Sequence, residues 1–330
     1  MLRRRAALAA LPALVLPAVL AGCSTDDGGS DGTLEVLASF YPLQYVAEQV
    51  GGDLVTVSNL TPPAAEPHDL ELSPAQVRQI GTADLVVYSS GFQAAVDEAV
   101  TTQSPEHVVD TSDVVTLEQH PGTPAGAETD EHADEHAEED GHEHADDDGH
   151  EHAEGAADPH FWLDPTRVID VGHAVAASLG EADPEHAATY AENARALAKS
   201  LTELDGEFEA GLQECASRTL VTSHEAFGYL AERYDLEQVG IVGLDPEAEP
   251  SPARLREVGA VVKENGVSTI FTETLTSPKV AETLASDIGV TTAVLDPLEG
   301  LSKSASEAGD DYVSVMRDNL AALTEGLQCS

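Results

Sequence analysis

The chain has 330 residues, 42% of them hydrophobic but only 4% aromatic, and 61 acidic side chains stand against 15 basic ones for a formal charge of −46. A surface this negative repels nucleic acid and attracts cations; with so few Lys and Arg there is no basic patch for phosphate or anionic headgroups, and no GxxxxGK nucleotide loop is present. The length leaves ample room for a core and suits two similar lobes better than one ordinary domain.

In chain order, Arg3, Arg4 and Arg5 precede the apolar stretch AALAALPALVLPAVLAG, which stops at Cys23. This predicts a signal peptide over 1–22, too short and too Pro-broken for a membrane span. LAGC resembles a lipobox, which would make Cys23 the lipidated first residue of the mature chain. The alternatives are an uncleaved anchor or a cleaved, secreted chain with a free Cys23. Residues 23–32, Gly/Asp/Ser-rich, read as a flexible tether.

An N-terminal lobe is predicted over 33–165. It has strand patterns at 33–43, 54–62, 84–91 and 107–115, and helix patterns at 44–53, 73–83 (Ser73 as N-cap, Pro74 at the first position) and 92–100. Between about 118 and 157 this lobe is interrupted by an acidic, His-rich insertion with too few large apolar residues to fold by itself, so it is expected to be disordered without metal. A helical linker is predicted over 166–215, with one helix over 164–180 and a longer one of about 30 residues from an Asp183 N-cap and Pro184. A C-terminal lobe over 216–330 repeats the alternation, with strands at 218–223, 236–244, 267–273 and 290–298. Alternation of this kind implies α/β architecture: two similar lobes, each a parallel sheet flanked by helices, joined by one long rigid helix, with ligands in the cleft beyond the strand ends. Beyond Cys23 only Cys215 and Cys329 remain, and in an exported chain such a pair more often forms a disulfide than binds metal.

Outside the insertion, four loops carry chemistry: AAEPHDLELSP around His68, DPHFWLDP around His160, TSHEAFGYL around His224 and VLDPLEG around Asp296. Each lies where a strand should end or a helix begin. Three imidazoles and a carboxylate, two groups from each lobe, match the donor preferences and four-coordinate geometry of Zn²⁺. Taken singly, each has a plainer reading. His68 suits a turn, His160 stacking on Phe161 and Trp162, His224 a helix cap, and Asp296 before Pro297 a turn start. HExxH is absent, because Gly228 stands where the second His of a His224-Glu225 motif would be.

Together PHDLELSP, DPHFWLDP, TSHEAFGYL and LDPLEG, in this order and separation, resemble the metal-binding solute-binding lipoproteins of bacterial ABC importers, the cluster that takes up zinc or manganese. The resemblance runs over about 34–328. It implies metal ligation by His68, His160, His224 and Asp296, with Glu66 or Glu273 as alternative fourth ligands. Asp69 and Asp164 stand beside His68 and His160, placed to orient an imidazole, and Asp164 before Pro165 equally suits a helix cap. Zinc is favoured over manganese because His224 stands where manganese-binding relatives tend to carry Glu. The implied protein is a monomeric, non-enzymatic receptor. Held by its lipid at the outer face of the cytoplasmic membrane, it would capture Zn²⁺ and deliver it to the permease. In the insertion, His132, His136, His142, His144, His150 and His152 would offer weak auxiliary sites. A manganese receptor, a secreted zinc hydrolase and a zinc-buffering adhesin are the other readings.

Overall fold

The computed structural model describes residues 33–120 and 157–330. The predicted signal peptide, Cys23, the tether and the six histidines of the insertion lie outside the described residues. Two four-stranded, all-parallel sheets carry the fold. The first comprises β1 (Leu34–Ala38), β2 (Val55–Asn59), β3 (Leu85–Tyr88) and β4 (Val108–Asp110), in the order β2-β1-β3-β4. The second, β5 (Thr219–Thr222), β6 (Glu237–Gly240), β7 (Thr269–Thr272) and β8 (Thr291–Val294), has the equivalent order β6-β5-β7-β8. Register is set by β-branched and Leu pairs such as Val36 with Val57 on one side and with Leu85 on the other. In both sheets the order reverses beside the first strand, the point at which open α/β sheets form a crevice.

The helices are α1 (Tyr41–Gly51), α2 (Pro74–Ile80), α3 (Ala94–Gln103), α4 (Pro165–Ala182), α5 (Ala187–Gly211), α6 (Gly228–Arg233), α7 (Pro252–Glu264), α8 (Lys279–Ile288), α9 (Lys303–Ala308) and α10 (Tyr312–Gly326). Local chemistry places several of their starts. Ser73 and Gln76 form a reciprocal capping box ahead of Pro74, and Ser251 caps α7 in the same place relative to Pro252. The first helix begins at Tyr41, three residues before its apolar spacing predicts, because Pro42 fits the first turn of a helix and cannot extend a strand.

A larger difference concerns the connecting helix. It starts at Ala187, not after Asp183, and its 25 residues span about 38 Å. Asp183 instead closes α4, and its carboxylate accepts from His186 Nδ1 at 2.6 Å and from the Tyr190 hydroxyl at 2.9 Å. Both side chains meet its Oδ2, and α5 begins after His186 with no side-chain cap. The helix packs on α1 and α4 at one end and on α10 at the other.

One continuous core runs from Val36, Phe40 and Val46 through Phe161 and Trp162 to Leu204, Phe227, Phe271 and Tyr312, so both sheets share it. Smaller clusters fill the outer faces, around Ile80 and Val96 under α2 and α3 and around Val258 and Ile270 under α7 and α8. Trp162 seals the junction: its Nε1–H donates to the Pro297 carbonyl at 2.8 Å, and the Tyr312 hydroxyl donates to its own carbonyl.

Cys215 and Cys329 form a disulfide across 114 residues, beside the start of β5. It ties the end of the chain to the second sheet and restricts the unfolded ensemble. Reduction is expected to lower unfolding free energy by about 2–5 kcal/mol, read as a shift of the denaturant midpoint.

Candidate metal centre

His68, His160, His224 and Glu299 each present one ligand atom to a common point, and these atoms lie within 4.8 Å of one another. His68 comes from the loop after β2, His160 from the turn before α4, His224 from the end of β5 and Glu299 from the loop after β8. Two ligands therefore come from each half of the cleft. Glu299 Oε1 lies 3.2 Å from His68 Nε2, 3.0 Å from His160 Nε2 and 3.2 Å from His224 Nε2. Donors at 2.0–2.1 Å from a zinc ion form a tetrahedron with edges of about 3.3 Å, so these spacings already suit one ion. The side chains of His160 and His224 are 0% exposed and that of Glu299 is 1% exposed, whereas His68 at 17% forms the rim.

Two carboxylates fix the imidazoles. Asp158 Oδ1 accepts from the His160 backbone N–H at 2.9 Å and from His160 Nδ1 at 2.7 Å. Glu273 repeats the arrangement on His224, with its two oxygens accepting at 3.0 Å from the backbone N–H and at 2.6 Å from Nδ1. An ionised carboxylate only accepts, so each holds a proton on Nδ1 and turns Nε2 towards the centre. His68 is held more loosely, by its N–H on Glu66 and by its ring edge-on to Phe92, centroids 4.7 Å apart.

The charges reinforce one another. Burial opposes protonation of His224, but Glu273 and then Glu299 outweigh it and push its pKa up to about 10. For His160, burial is again overcome, by Asp158 and Glu299, and the pKa is raised. Burial acts to raise the pKa of Glu299, yet the three imidazoles hold it well below the usual carboxylate range. Asp158, despite burial, is held down at about 2 by His120 and His160.

Two polar atoms of the centre, His224 Nε2 and Glu299 Oε2, are buried with no hydrogen-bond partner among the described residues. His224 Nε2 is close to Glu299 Oε1 but off the hydrogen-bonding line. Buried polar atoms are rarely left in this state, and a cation at the centre of the four groups would satisfy them.

Of the sequence-predicted residues, the structure brings His68, His160 and His224 together. Asp296 is not part of the group. Its Oδ1 accepts from the Leu298 N–H at 2.8 Å and its Oδ2 from the Thr274 hydroxyl at 3.0 Å, so it is spent on a turn. Burial pushes its pKa up to about 6. Within that turn Leu298 adopts a left-handed φ of 56°, and the chain swings Glu299 into the position expected for Asp296.

Glu66 stays close, 3.8 Å from His68 Nε2, but Glu299 is nearer. Glu273 supports His224 from behind and is not a member of the four. The orienting role expected of Asp69 and Asp164 falls to Asp158 and Glu273. Asp164 caps α4 by accepting from the Thr166 N–H at 2.8 Å, and Asp69 is exposed. One sequence signal for the supporting groups exists: Glu66 and Asp158 each stand two residues before a histidine, the spacing at which a carboxylate reaches back to a backbone N–H.

Two α/β sheets sharing one core, with three imidazoles and a carboxylate between their strand ends, define a two-lobed binding protein with a site built for a borderline transition metal. Residues 36–326 match the family described as zinc-uptake complex component A, periplasmic, or ZnuA, and the chain belongs to this family. It is 35% identical over 331 residues to the high-affinity zinc uptake system protein ZnuA of Bacillus subtilis, covering 99% of each chain. It is 37% identical over 322 residues to the zinc-binding lipoprotein AdcA of Streptococcus pneumoniae, covering 96% of this chain but only 60% of that one. The chain thus spans about 60% of the length of that relative. Among solved structures, the zinc-bound ZnuA-like domain of S. pneumoniae AdcA superposes with a TM-score of 0.71 at 33% identity, covering 90% of this chain and 99% of that one. The Lmb protein of Streptococcus agalactiae, described as bifunctional with adhesin and metal-transporting activity, gives 0.72 at 31% identity, covering 89% and 100%.

Proposed function

We propose that the protein is an extracytoplasmic zinc receptor that captures Zn²⁺ with His68, His160, His224 and Glu299 and hands it to the permease of an ABC importer. The observation that carries this reading is the convergence of three Nε2 atoms on one buried carboxylate oxygen at the edge lengths of a zinc tetrahedron. Zinc is preferred to manganese because three of the four donors are imidazole nitrogens, which suit Zn²⁺, whereas Mn²⁺ favours oxygen. Four protein ligands leave no open position for a catalytic water, so the reading is of a carrier and not of a hydrolase.

The LAGC sequence ending at Cys23, together with the lipoprotein relative, supports attachment by lipid at the outer face of the cytoplasmic membrane. No described helix is long and apolar enough to cross a membrane. Metal analysis of the purified chain with a zinc and manganese competition titration tests the assignment: one tight equivalent, held for zinc against manganese, is expected, and preferential retention of manganese would overturn it. Removing residues 129–155 should abolish the weak zinc equivalents of its own histidines and leave the tight one, since none of its four ligands lies in that run. Loss of the tight equivalent would place the site in the insertion.

A further inference from the structure

A second group of ligand side chains sits where the insertion leaves the first lobe. Glu118, His120 and Glu232 each place one ligand atom within 4.8 Å of the others. His120 Nε2 lies 3.4 Å from Glu232 Oε2, again close to the edge of about 3.3 Å in a zinc tetrahedron. The group opens on a cleft of about 920 Å³ between the Glu118–His120 segment and α6 and α7. It is therefore open to solvent where the first centre is closed.

The carboxylate that orients His160 also orients His120. Asp158 Oδ1 accepts from His160 Nδ1 and Asp158 Oδ2 from His120 Nδ1, both at 2.7 Å. Each imidazole is thus held with Nδ1 on the buried acid and Nε2 facing an outer carboxylate, Glu299 for one and Glu232 for the other. This is the carboxylate–histidine–metal arrangement, built twice on one aspartate. The position is closely fitted. A Cβ at Gly228 would come within 2.3 Å of His120 Nδ1 and 2.6 Å of Asp158 Oδ2, so the start of α6 admits the pair only as glycine. Tyr229 stacks edge-on against His120 and donates its hydroxyl to the Asp158 carbonyl.

Arg167 now serves both glutamates, at 2.5 Å from Glu118 and 3.8 Å from Glu232. A divalent cation can replace it without leaving it stranded, because Arg167 also donates to the Thr116 carbonyl, lies 3.4 Å from Asp164 and stacks over Tyr229.

We propose that Glu118, His120 and Glu232 form a second, weaker and exchangeable divalent-cation site, with zinc as its best-suited ion, coupled to the first centre through the shared carboxylate of Asp158. Three protein ligands, one of them more than half exposed, leave room for water in the coordination sphere, which makes the ion easier to release than at the first centre. The site thereby becomes a staging point between the insertion and the closed cleft.

The full-length chain crystallised at saturating zinc and measured at the zinc edge should show an anomalous peak among these three residues, besides the one at the first centre. Glu232→Gln should lose that peak and one weak equivalent in a chelator competition titration, with the tight equivalent unchanged. Asp158→Asn, which can accept from only one of the two imidazoles, should weaken both sites, each by about 10–100-fold. Zinc peaks confined to the first centre and to histidines of the insertion, or equal occupancy in Glu232→Gln, would overturn the proposal. A peak here with none at His68, His160, His224 and Glu299 would overturn the receptor reading and leave this site standing.

Discussion

Replacing His224 with alanine is expected to lower zinc affinity by more than about 100-fold, beyond the 10–100-fold lost when an outer partner of a ligand is removed. The substitution deletes a fully buried donor and leaves Glu273, itself 1% exposed, facing a void. It should also change the pH dependence. His160 and His224 have raised pKa values because of the carboxylates around them, His224 at about 10, so near neutral pH zinc must displace a proton from His224, and proton competition at His160 extends to higher pH than at a free imidazole. Affinity therefore falls as pH falls, about tenfold per unit for each proton displaced, and rises until the histidine pKa is passed. His224→Ala removes one such proton, so its plot of log Kd against pH should be shallower by about one unit per pH unit. His68→Ala should cost less than either buried histidine, since His68 sits at the rim and lacks a carboxylate clamp on Nδ1. Calorimetric titration between pH 5.5 and 8, with thermal melts to show that each variant is folded, measures all three. An affinity for zinc in His224→Ala equal to that of the unaltered chain would remove His224 from the site.

Much of this fold is legible because its signals are local. Buried parallel strands are short apolar runs, as in LVVY and TLVT, and Ser-Pro and Asp-Pro pairs mark where α2, α4 and α7 begin. The three histidines stand out for the same reason, as isolated imidazoles in loops, His68 and His224 after strands and His160 just before a helix. The fourth group is harder to read. Asp296 and Glu299 are three residues apart in one loop, and closeness to the strand end favours the aspartate. What decides between them is a turn in which Asp296 accepts the Leu298 N–H and Leu298 takes a left-handed φ, a conformation that a leucine does not advertise. The start of α5 is obscured in a similar way: Asp183 and Pro184 form a good capping pair, but Asp183 Oδ2 accepts from both His186 and Tyr190, and only the tertiary arrangement shows it. Asp158 likewise lies in plain view two residues before His160, while its second partner, His120, is 38 residues away across the insertion.

Glu299→Gln and Asp296→Asn together separate the two candidate carboxylates. Both substitutions preserve shape and remove one negative charge, and both residues are buried. In Glu299→Gln the amide replaces the oxygen on which three Nε2 atoms converge. A neutral amide is a poorer ligand for Zn²⁺ than a carboxylate, and it no longer offsets the ion's charge in a closed, weakly polar pocket. The loss of affinity should approach that of His224→Ala, above about 100-fold, because a ligand is changed and not a supporting group. Removing the negative charge also removes what helps to hold His160 and His224 protonated, so part of the loss should be recovered at low pH, where proton competition is relieved. Asp296→Asn behaves differently. Its remaining oxygen still accepts the Leu298 N–H, and its new amide can donate to the Thr274 hydroxyl, so the turn survives and zinc affinity should stay near that of the unaltered chain. Any cost falls on stability, about 1 kcal/mol for one altered buried hydrogen bond. A larger loss of zinc affinity in Asp296→Asn than in Glu299→Gln would show that the carboxylate three residues earlier, and not Glu299, closes the tetrahedron.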